Sequence, residues 1–239
     1  MGISSQKRKD FIVNAKNYLE NAGTDSFINE QILTIGYDEN RLNEGRAMQK
    51  KAWETREKQI MLLNKAKSLH TRLREEFVLR LKSFTGDVRL FRSTFIRDIP
   101  VKEKLQLYGE RKRSIPGYLE QARAFYSTLL KEKDILNQLA AFNITAETVQ
   151  AKLTEIDDIE KKYAAYKDAD QDAQNATDEC GKEFRKLRDW IRIFQDACRI
   201  VLKEKPQLQE KVGILVRSSR LRRKSKSEAG DGNQSLEQT

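Results

Sequence analysis

Proline, histidine and cysteine are scarce, and each shortage closes off a class of function. The chain of 239 residues carries three prolines, two cysteines and one histidine. Few prolines beside 34% charged residues suit long solvated helices better than a sheet protein. The one histidine, His70, is preceded three positions earlier by Lys67, so the Glu-x-x-His pairs of a di-iron bundle cannot be assembled. Cys180 and Cys198 are eighteen residues apart, which in one helix is roughly 27 Å at about 1.5 Å per residue. That is too far for a disulfide, whose Cα atoms lie within about 7 Å, or for a shared zinc ion. Both read as small reduced core residues. No apolar run approaches the roughly 18 residues of a membrane span. The opening MGISSQKRKDFIV has no apolar core of signal-peptide length. The Gly-x-x-x-x-Gly-Lys phosphate loop is absent, and no nucleophile has a base placed beside it in a readable pattern. The expectation is a cytoplasmic protein that is not an enzyme, with no catalytic residues, no cofactor, no metal and no transmembrane segment.

What the chain does contain is helical period. From Ala146 to Glu204 there is no proline, and apolar or small residues recur at spacings of three and four: Val149, Leu153, Ile156, Ile159, Tyr163, Tyr166, Ala169, Ala173, Ala176, Cys180, Phe184, Leu187, Ile191, Phe194, Cys198 and Val201. That spacing draws one stripe along an α-helix. A helix of that length cannot bury its stripe alone, and residues 39–97 offer a partner of similar length. Thr85-Gly86 and Gly181 are the weak points, each a place to bend or break at a cost of about 1 kcal/mol per glycine. Alanines in the middles of the runs (Ala66, Ala173, Ala176) predict close approach of the two helices there. Trp53, Trp190, Tyr163 and Tyr166 read as seam residues.

Displacing the chain against itself by 107 positions aligns its apolar faces and its punctuation. Phe11, Ile12, Ala15 and Tyr18 fall on Tyr118, Leu119, Ala122 and Phe125, and Ile28, Gln31 and Ile32 fall on Ile135, Gln138 and Leu139. Gly36 falls on Asn143, the two residue types that accept a left-handed helix terminus. Asp38 and Thr145 then supply N-caps, and Pro100 and Pro206 mark the first turn of a closing helix. The reading is a tandem two-repeat helical bundle. Residues 1–110 form the first repeat, 111–217 the second, packed as one elongated domain, and 218–239 a disordered basic tail. Within each repeat two short helices precede the long coiled-coil-like one, at 7–22, 26–35 and 39–97, then at 114–130, 133–142 and 146–204.

Two stretches invite a chemical reading. Asp168, Asp170, Asp172 and Glu179 occupy positions 1, 3, 5 and 12 of a calcium-binding loop. Ala173, however, stands where the sharp turn needs glycine, and the helical spacing continues through the stretch, so a solvated acidic helix face is expected. The formal charge is +10. Residues 1–110 hold 21 Lys and Arg against 15 Asp and Glu, residues 111–216 hold 19 against 18, and the tail holds 6 against 3. The tail cations Arg217, Arg220, Arg222, Arg223, Lys224 and Lys226, with the basic first half, suit phosphate contact. No aromatic residues are interleaved with them for base stacking.

The segment Pro206-Gln207-Leu208-Gln209-Glu210-Lys211-Val212-Gly213-Ile214, with Asp189-Trp190 and Tyr118–Tyr126, resembles a group of uncharacterised bacterial all-helical proteins that close in a P-Q-L-x-E-K-[LV]-G-I-type segment. The resemblance covers about residues 105–217 and implies an all-helical fold without implying an activity. Gln209 and Val212 depart from the usual leucines. Taken together, the chain is expected to be a non-catalytic structural or interaction protein that self-assembles or binds another protein. The alternative is a nucleic-acid-associated protein.

Overall fold

The computed structural model describes residues 5–216. In chain order these form α1 (Ser5–Thr24), α2 (Ser26–Leu33), α3 (Glu39–Thr94), α4 (Ile99–Lys104), α5 (Ile115–Lys131), α6 (Lys133–Leu139), a 3-10 turn (Ala140–Phe142), α7 (Ala146–Val201) and α8 (Pro206–Lys211). Helix makes up 84% of the described residues and no strand occurs among them, so the chain is all-α. The expected tail, 218–239, lies outside the described residues.

Local chemistry starts and stops these helices. Asp38 Oδ1 accepts the Arg41 amide at 2.9 Å and opens α3. Thr145 and Thr148 exchange amide-to-hydroxyl bonds at the start of α7. Each satisfies a donor that the first helical turn leaves unpaired. Pro100 and Pro206 sit in the first turns of α4 and α8. The long helices end at Thr94 and Val201, three residues earlier than their periodicity predicts. Asp98 and Lys205, each outside the helical region, separate the long helices from the closing ones, and Lys205 stands directly ahead of Pro206, where the helical region is disfavoured. Both α3 and α7 run unbroken through Gly86 and Gly181.

The described residues form two compact units, and each draws on both halves of the sequence: residues 5–56 with 179–216, and residues 57–178. In the first unit α1, α2 and the start of α3 enclose a core with the end of α7 and with α8. Ile12, Leu19, Ile28, Ile32 and Leu42 meet Leu187, Ile191, Phe194, Leu202 and Val212 there. Trp190 lies over Gly45, edge-on to Tyr37 and stacked on Phe194. Asn21 Nδ2 donates to the Lys211 carbonyl at 2.8 Å, and Lys211 Nζ pairs with Asp25 at 2.8 Å, so α8 is tied to α1 and α2. Hydrogen bonding to Lys211, then to the Ile28 amide, holds the Asp25 carboxyl below its ordinary range.

In the second unit α5, α6 and the start of α7 pack with the rest of α3 and with α4. The core here is rich in rings: Phe91 stacks on Phe125 at 5.2 Å, and Phe84 meets Tyr118, Phe125 and Tyr126. Such pairs add about 0.5–1.5 kcal/mol each to what burial of their area supplies. Tyr126 donates its hydroxyl to Asp87 Oδ2 at 2.5 Å. The two long helices run antiparallel, since Gln59 reaches Thr177, Lys162 reaches Glu76, Arg80 reaches Glu155 and Lys152 reaches Ser83. Ala66, Ala169 and Ala173 are buried in one small cluster, and Ala176 is buried outside it. Trp53 and Trp190 lie partly buried against the first core, and Tyr163 and Tyr166 against the second.

Candidate functional site

The sequence-predicted phosphate contacts Arg217, Arg220, Arg222, Arg223, Lys224 and Lys226 lie outside the described residues. The acidic stretch Asp168–Glu179 is interior to α7. Its carboxylates therefore spread round the helix instead of converging, and one of them, Asp170, accepts from the Gln174 side chain at 3.1 Å. No group of three His, Cys, Asp or Glu side chains suited to a metal ion occurs among the described residues. His70 is exposed, its ring 5.1 Å from that of Tyr166. Cys180 and Cys198 are free and buried, and burial pushes the Cys198 thiol up to about 12. No described helix is long and apolar enough to cross a membrane.

Positive charge converges at one place inside the second unit. A cleft of about 340 Å³ opens between α3 and the link that leads from α4 to α5. Leu81, Thr85, Val88, Arg89 and Arg92 line it from α3, at spacings that put them on one helical face. Gly109, Glu110, Arg111 and Arg113 line it from the link. The link is shaped by two residues of positive φ, Gln106 at 50° and Gly109 at 79°. Its carbonyls are gathered by arginine. Arg92 donates Nε–H to Leu107 and Nη2–H to Gly109, while Arg111 Nη2 donates to Tyr108 at 2.7 Å and to Gln106 at 3.2 Å.

These two guanidiniums are held by neutral carbonyls, not by carboxylates. Arg111 lies 5.9 Å from the centre of the Phe84 ring, and its Nε is buried without a hydrogen-bond acceptor. Burial, and then repulsion from Arg92, push the Arg111 guanidinium below its ordinary pKa. Arg89 and Arg113 are exposed at the rim. None of the four forms an ion pair among the described residues, and Glu110 is the sole carboxylate of the lining. In the sequence Arg111-Lys112-Arg113 reads only as part of a link. The available signal was Arg89 and Arg92 three apart near the end of the long run, with a basic tripeptide two residues after Gly109.

The second candidate is apolar. Ile193 and Ile200 on α7 are 60% and 76% exposed, in the first unit. At about 100° per residue they share one face, opposite the buried stripe of Ile191, Phe194, Cys198 and Leu202. In the second unit Ile96 and Ile99 are 67% and 58% exposed just past the end of α3.

No family model matches the chain, and neither a curated protein nor a solved structure matches it.

Proposed function

We propose that this chain is a non-catalytic helical interaction module that assembles with copies of itself through apolar surface near the ends of its long helices. The observation that carries the reading is the pair Ile193 and Ile200. Their own unit already has its core on the other side of α7, and neither isoleucine belongs to it. Full burial of an isoleucine supplies about 1.5–3 kcal/mol, and the larger part of that is forgone at each of these positions, which a partner surface would recover.

The module is built, on this reading, from one helical unit copied in tandem. Helix starts support it: α3 and α7 begin at 39 and 146, and α4 and α8 contain Pro100 and Pro206 in their first turns. Backbone conformation supports it too, because Gly36 and Asn143 are both left-handed, and so are Gln106 and Gly213. Burial follows the same offset of 107 at Ile12 and Leu119, Ile28 and Ile135, Ala66 and Ala173, and Phe77 and Phe184. The copies differ on the outside. Where the second carries Ile193 and Ile200, the first carries Gly86 and Ser93. Duplication would thus keep the scaffold while freeing one copy's surface for assembly.

Sedimentation velocity across a dilution series tests the reading. Self-association that rises with concentration, and that the double substitution Ile193→Glu/Ile200→Glu removes while helical circular dichroism is unchanged, is the expected result. A monomer at every concentration, or association indifferent to the substitution, would reject it.

A further inference from the structure

We propose that the arginine cleft between α3 and the α4–α5 link is a binding site for a phosphate monoester. The argument begins with what the arginines are not doing. Arg92 and Arg111 brace the link through its carbonyls, which fixes their planes but neutralises no charge. Arg89 from α3 and Arg113 from the link also line the cleft. Four cations facing one carboxylate, Glu110, repel one another, and a dianion seated among them relieves that repulsion. Guanidinium is also the group whose planar fork matches phosphate oxygens, with two parallel donors to one anion. Arg92 and Arg111 each keep N–H groups beyond those spent on carbonyls.

Shape narrows the ligand class. The site is a cleft and not a track, so it fits a compact anion of two charges better than an extended phosphodiester chain. Leu81 and Val88 give it an apolar wall, against which the organic part of a monoester can lie. The anchors are positioned in advance, because bracing by backbone carbonyls holds two guanidiniums before any ligand arrives.

Calorimetric titration of the full chain with inorganic phosphate and with adenosine 5′-monophosphate tests the proposal. The two probes separate free phosphate from an esterified one. The variants are Arg89→Gln/Arg113→Gln, which leaves the bracing arginines in place, and a control of equal charge change at exposed positions elsewhere, Arg185→Gln/Arg192→Gln. Expected is saturable binding of the monoester by the wild type, and weakening by roughly tenfold or more in the cleft variant alone, as loss of charge-assisted hydrogen bonds implies. Absence of saturable binding in the wild type overturns the proposal, and so does equal weakening by the control. Should the double variant lose its helical signal, Arg89→Gln alone is read in its place, since that side chain projects from a helix surface. A single-stranded oligonucleotide that binds more tightly than the monoester, with a salt dependence spanning many phosphates, also overturns it, in favour of a nucleic-acid track.

Discussion

Asn143 turns the backbone through the same left-handed corner as Gly36, with φ of 59° against 81°, 107 residues further along the chain. Each residue sits between a short helix and a long one, and each is followed by a capping side chain, Thr145 or Asp38. The corner decides where the long helix points, and so which residues of its stripe meet the short helices. Its recurrence ties a local backbone preference to the packing of both cores.

Exchanging the two corner residues is therefore expected to be tolerated. Gly36→Asn and Asn143→Gly should each leave stability nearly unchanged, because both types accept positive φ. Gly36→Ala and Asn143→Ala should each cost about 1 kcal/mol, the penalty of a Cβ in the left-handed region. Around Gly36 there is open space for a Cβ, so its cost is purely conformational. Urea denaturation of the four variants checks this. Alanine tolerated as well as asparagine at both positions would mean the corner does not constrain the fold.

Much of this architecture was legible in the sequence, for a physical reason. A buried helical stripe must recur every three or four residues, and helix ends need particular side chains, so both leave marks in the order of residues. Residues such as Ile156, Phe194 and Asp38 carry those marks and lie where the period puts them. The candidate sites were less legible. Arg92 and Arg111 come together because the link folds back on α3, and a fold-back of that kind has no period. Ile193 differs from Ile191 only in which face of α7 it occupies, and its exposure becomes evident once the partner of α7 is known. The compact units were also hidden, since each is assembled from segments far apart in the chain.

Glycines in the helices separate into two kinds, and alanine substitution distinguishes them. A Cβ on Gly86 would meet nothing within 4 Å, so Gly86→Ala should stabilise the chain by about 0.5–1 kcal/mol through helix propensity. A Cβ on Gly45 would lie 2.6 Å from the Trp190 ring. Gly45→Ala must displace that ring from its stack on Phe194, and a loss of about 1–3 kcal/mol is expected from overpacking. Thermal denaturation should move the midpoint up for the first and down for the second. Equal effects would show that Trp190 repacks freely.

The buried tyrosines make the chain sensitive to alkali. Burial, with the Glu155 charge adding to it, pushes the Tyr118 hydroxyl up to about 12. Tyr126 is raised further in the same direction, chiefly by burial and then by the Asp87 carboxylate that accepts its hydrogen bond. In the unfolded chain both ionise near the ordinary value of about 10. A group whose folded pKa lies above its unfolded one contributes stability that is fully present below the unfolded value. That contribution disappears as pH climbs through the folded value. Stability should therefore be level up to about pH 10 and fall steadily toward about pH 12. Tyr118→Phe should flatten that fall by removing one phenol. Tyr126→Phe should flatten it too, but from a lower starting stability, because it strips Asp87 of its donor at a cost of about 1–3 kcal/mol. Denaturation midpoints taken across the alkaline range, with phenolate absorbance followed in the folded chain, test this directly. Full tyrosine ionisation near pH 10 without unfolding would show that the ring-rich core admits water.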